Sequence, residues 1–101
     1  MLDLKKAEKE LQEKTYLEIQ KSTAYVWASR AIVAYQNGLK EKTLRSKIGW
    51  LMVGGEYEHE AIEHASLCED GGKLVHKIAN VTMNSRNHLA ANIETAIDKK
   101  A

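Results

Sequence analysis

The sequence predicts an all-α fold: three long antiparallel helices forming an elongated bundle, in one domain spanning residues 1–101. Three observations predict it. The chain contains no proline, which removes the strongest helix breaker. Its stretches between glycine-containing stops are rich in Ala, Leu, Glu, Lys, Gln and Arg, all good helix formers. No run alternates apolar and polar residues for long enough to suggest a strand.

The first helix is expected from about Asp3 to Gln36, ending at Asn37-Gly38 with Gly38 in the left-handed position past the end. Its first part is charged, with Lys6–Glu10, Glu10–Lys14 and Lys14–Glu18 at i,i+4 spacing, a pattern that supports an exposed helix. From Thr23 to Tyr35 it turns apolar on nearly every side. A helix apolar all round must be covered all round, and two further helices cover only part of a cylinder. Association with a second copy or another helical protein is therefore expected, through the large side chains Tyr25, Trp27, Ile32 and Tyr35.

The second helix is expected from about Lys40 to Glu69, stopping at Asp70-Gly71-Gly72. Gly54-Gly55 falls in its middle, so it is either kinked or broken there. Leu44, Ile48, Leu51, Gly55 and Ile62 keep one phase across the pair, which favours a kinked but continuous helix. The third helix is expected from about Lys73 to Asp98, with Leu74, Ile78, Val81, Leu89 and Ile93 facing inward. Asn80, Asn84, His88 and Asn92 recur every fourth residue as a polar stripe, either an exposed face, a register device or a ligand site.

Charge and cysteine content narrow the function. The formal net charge is +1, which argues against a general polyanion-binding protein. One local basic cluster, Lys40, Lys42, Arg45 and Lys47, could still contact phosphates and is the candidate for weak nucleic-acid binding. The single cysteine, Cys68, rules out an internal disulfide and suits a reducing compartment. No secretory h-region is evident near the start. The apolar stretch Ala24–Tyr35 is too short to span a bilayer, so a cytoplasmic location without membrane partners is expected.

Two constellations could carry chemistry. Glu56, His59, Glu60 and Glu63 share a helix side, and Glu56-x-x-His59 has the spacing used by carboxylate–histidine metal sites, which makes Glu56, His59 and Glu63 the candidate metal ligands. They point away from the side of Ala61, Ala65 and Cys68, which favours a solvated acidic face. His64 and Cys68 stand at i,i+4, but no third group orients them as an activated nucleophile. No cofactor or catalytic residue is expected.

Two local resemblances complete the reading. Trp27, Ala31, Tyr35 and Gly38 resemble the first half of a tetratricopeptide repeat, whereas Thr43, Lys47 and Trp50 depart from its second half. Val81-Thr82-Met83 followed by His88-Leu89 resembles the third helix of the lactose/cellobiose phosphotransferase IIA proteins, three-helix chains that trimerise. Asn84 stands where that family places its phosphorylated histidine, and Asn87 replaces its following acidic residue. The resemblance therefore implies no phosphotransfer. The leading expectation is a non-enzymatic self-association or protein-interaction protein. Metal or small-molecule binding and weak nucleic-acid binding are the alternatives.

Overall fold

A computed structural model describes residues 3–68 and 70–100. Three helices follow one another with short connections: α1 Leu4–Lys40, α2 Leu44–Ser66 and α3 Gly71–Lys100. Each neighbour runs antiparallel to the one before. The bundle is a flattened rod of 75 × 19 × 13 Å. Glu69, the expected end of the second helix, lies outside the described residues.

Local chemistry sets the helix ends. The Asp3 carboxylate accepts the amide of Lys6 at 3.3 Å and so caps α1. The Thr43 hydroxyl accepts the amide of Ser46 at 3.1 Å and caps α2. The turn between them is tied down by two side chains of α2. Lys47 Nζ donates to the carbonyls of Gly38 and Leu39, each at 3.3 Å, where the last carbonyls of α1 lack helical partners. Trp50 Nε1 donates to Glu41 Oε1 at 3.0 Å.

Gly38 corrects the expected helix boundary. No glycine has positive φ, and α1 runs through Gly38 to Lys40. The residue is small because space is short. A methyl group there would lie 2.6 Å from Leu89 Cδ2 and 3.1 Å from Trp50 Cβ. Gly71 likewise starts α3 rather than ending α2.

The α1–α2 seam is built from small residues. Ala24, Ala28, Ala31, Ala34 and Gly38 of α1 are buried, as are Gly54, Ala61 and Ala65 of α2. Helix α2 is unbroken through Gly54-Gly55. Its inward face is Lys47, Gly54, Glu58, Ala61 and Ala65, rotated from the expected one, and Ile48 is exposed. Close approach by small residues, with Lys47 and Glu58 satisfied by polar partners, outweighs the pull of the larger aliphatic side chains. On α3, Leu74, Ile78, Leu89 and Ile93 are buried as expected. Val81 is exposed, and its neighbour Thr82 is buried instead, donating its hydroxyl to the Ile78 carbonyl at 3.0 Å.

The core falls into two clusters along the rod. One gathers Ala24, Ala28, Ala61, Ala65, Leu74 and Ile78. The other gathers Ala31, Tyr35, Leu89 and Ile93. The helices are staggered. Leu17 lies across from Cys68 in the α2–α3 turn, so the first turns of α1 extend past it, and every described residue from Asp3 to Tyr16 is exposed.

Candidate functional site

The α1–α2 pair buries one side against α3. Its other side is an open groove, reached by following where each apolar side chain of α1 is sent. Tyr16, Ile19, Val26 and Val33 are all exposed, the last two at 50% and 52%. With Thr23 and Arg30 between them, they follow alternating three- and four-residue steps, so they form one seam along the outer edge of α1. Val33 opens into a groove walled by Asn37, Trp50 and Tyr57. The groove continues past Trp27 to Met52, Gly55 and Glu56.

Aromatic side chains fix its shape. The Trp27 and Tyr57 rings lie with centroids 5.5 Å apart and planes inclined at 43°, bridging α1 and α2. The Arg30 guanidinium carbon sits 4.8 Å from the Trp27 ring centroid, an attractive cation–π distance. Trp50 is held at the far end by Glu41. Met52, 66% exposed, forms a flexible apolar border.

Beneath this surface lies a polar layer that joins all three helices. Tyr35, fully buried, donates its hydroxyl to Glu58 Oε1 at 2.6 Å. Arg86 Nη1 of α3 donates to Glu58 Oε2 at 3.2 Å. Glu58 is only 5% exposed, so both carboxylate oxygens are satisfied within the fold. Burial, then the hydrogen bond and charge of Glu58, push the Tyr35 phenol well above its ordinary value. Gly54 faces the Tyr35 ring, and a methyl there would enter it.

The expected contact residues do not share one surface. Tyr35 belongs to this interior layer and is corrected: it cannot carry an outside contact. Trp27 lines the α1–α2 groove. Tyr25 lines a different cleft, between α1 and α3. Ile32 is half-buried. Val26, Val33, Trp50, Met52 and Tyr57 were not predicted as contact residues. The seven-residue step from Ile19 to Val26 to Val33 was the sequence signal for two of them.

The remaining candidates separate as well. His59 Nε2 lies 3.1 Å from Glu63 Oε1, both side chains well exposed. Among the described residues no three His, Cys, Asp or Glu side chains are placed to hold one metal ion, Glu56, His59 and Glu63 included. They project from a single helix, α2. His64 contacts Gln20 Oε1 through Nδ1 at 2.5 Å and Glu60 through Nε2 at 3.8 Å. Cys68 points its thiol to the carbonyls of His64 and Leu17. Burial raises the thiol pKa, with Lys21 acting in the opposite direction, so no thiolate is favoured.

Of the basic cluster, Lys40, Lys42 and Arg45 are exposed, but Lys47 is buried against the end of α1. Asn80, Asn84, His88 and Asn92 are all exposed on α3. No helix of the described residues is long and apolar enough to cross a membrane. Compared with known proteins, the chain matches no protein-family model, no curated protein and no solved structure.

Proposed function

We propose that this chain works by self-association, with a second copy seated along the outer edge of α1 and the adjoining Trp27–Trp50–Tyr57 groove. The observation that carries this is the exposed seam Tyr16, Ile19, Val26 and Val33, which has the step pattern of a helix-packing face but no covering partner among the described residues. The seam is also self-complementary. In an antiparallel pair centred between Thr23 and Val26, Tyr16 of one copy meets Val33 of the other, and Ile19 meets Arg30. That is the reciprocal contact a two-fold axis requires. The same pairing lays the uncovered start of α1 along the end of α1 in its partner.

Surface area supports the reading. The chain exposes 7436 Å². A compact monomer of its 11.4 kDa mass would expose about 5,800 Å². The excess exceeds one partner's share of a standard interface, about 800 Å². In this reading the chain needs no catalytic group, and Tyr57, Trp27 and Trp50 supply rigid anchors.

Sedimentation equilibrium tests it. The wild-type chain is expected to sediment as a dimer at tens of micromolar, a range set by ordinary interface affinities. The double variant Val26→Glu/Val33→Glu is expected to be monomeric with unchanged helical circular dichroism, because both side chains already face solvent. A wild-type monomer throughout that range would defeat the proposal, and a dimeric double variant would remove this surface from it.

A further inference from the structure

The cleft between the N-terminal half of α1 and the start of α3 has a different character from the groove. Its volume is about 340 Å³. Lys14 and Lys21 stand two turns apart on α1, and Lys73 and Lys77 one turn apart on α3, so exposed lysines of both helices line it. Glu18 and Asp70 also reach its rim, leaving a surplus of positive charge among the described residues. No described carboxylate lies within ion-pair distance of any of these lysines; the ion pairs of the described residues all lie elsewhere.

Lys73 of α3 is placed against the helix dipole, with Asp70 just before the helix as the nearest described carboxylate in the chain. Lys73 lies in the first turn of α3, which holds no acidic residue. A cation at the positive end of a helix is unfavourable, and a bound anion would offset both the dipole and the charge. The lining also includes apolar surface: Leu74, which is buried, and Tyr25, which is partly exposed. Charged lysines together with an aromatic and an aliphatic side chain in one cleft suit a ligand with a charged end and an apolar end.

We propose that this cleft binds a small organic phosphate ester, its phosphate among Lys14, Lys21, Lys73 and Lys77 and its flat apolar body against Tyr25 and Leu74. The site stands independently of self-association, because its lining residues lie on the α3 side of α1, away from the groove.

Calorimetric titration with phenyl phosphate tests it, alongside inorganic phosphate and benzyl alcohol. Saturable binding of phenyl phosphate is expected, weaker binding of inorganic phosphate, and none of the neutral alcohol. Lys21→Glu/Lys73→Glu should weaken phenyl phosphate binding at least about tenfold, a loss visible at any affinity the method reads. Tyr25→Ala should weaken phenyl phosphate but leave inorganic phosphate unchanged. Lys5→Glu/Lys9→Glu, which changes the net charge by the same amount outside the cleft, should change neither. No saturable binding, or an equal loss in the Lys5/Lys9 variant, would overturn the proposal. Circular dichroism of each variant checks that a loss is not unfolding, and if the charge-reversed pair is unfolded, Lys21→Gln/Lys73→Gln carries the same expectation.

Discussion

Gly49 and Gly54 lie within two turns of each other on α2, and a methyl group should affect them oppositely. Nothing lies within 4 Å of a Cβ at Gly49, whereas one at Gly54 enters the Tyr35 ring. Gly49→Ala is expected to stabilise by about 1 kcal/mol through helix propensity. Gly54→Ala is expected to destabilise by about 1–3 kcal/mol through overpacking. Urea denaturation of both variants decides it, and equal shifts would mean that Tyr35 does not press on α2. Tyr35 itself carries a pH signature. Its phenol is held above the ordinary value by burial and by Glu58. Below pH of about 10 the folded and unfolded chains both keep the proton, whereas above it the unfolded chain releases it first. Stability should therefore fall as pH rises past that point, and less steeply in Tyr35→Phe. Parallel stability curves for the two proteins between neutral and strongly alkaline pH would rule this out.

At the scale of the element, the start of α1 is a helix with no tertiary support. Isolated helices of such length are marginal in water. Backbone amides from Ala7 to Tyr16 are expected to exchange with deuterium far faster than those from Ala24 to Gly38 in dilute protein, and to gain protection as concentration rises and copies pair. Protection of the two segments to the same degree at high dilution would show that the arm is stable alone. The elements also show what the sequence made legible. Number, type and order of helices followed from composition and from the absence of proline, and the charged start of α1 was visible in its i,i+4 pattern. The inward face of α2 was not, because the phase of large aliphatic residues points to a different side of the helix from the one that packs. In fact Gly54, Ala61 and Ala65 admit α1 closely, while Lys47 and Glu58 sit inside because α1 and α3 supply their partners. A side chain's polar partner on another helix leaves no periodic trace. For the same reason Tyr35 was expected outside, and the charged cleft, assembled from residues about fifty positions apart, had no local motif to announce it.

At the scale of the molecule, the three helices are joined by the Tyr35–Glu58–Arg86 layer, and their apolar contacts are divided between two clusters. The polar layer fixes how far each helix can slide past the others, since a shift of one turn would strand a buried carboxylate. The open α1–α2 side and the basic α1–α3 cleft lie on different sides of α1, so one helix presents two chemically unlike surfaces. Binding at one need not occupy the other.

Two cores in series have a thermal consequence. The end holding Ala24, Ala65 and Leu74 buries four alanines beside Leu74 and Ile78, so it carries less large apolar bulk in its buried centre than its neighbour. The other is clamped by Tyr35 and Leu89. Local openings below the global free energy are therefore expected first at the less bulky end, so the lysine-lined mouth should splay while the clamped half still holds its shape.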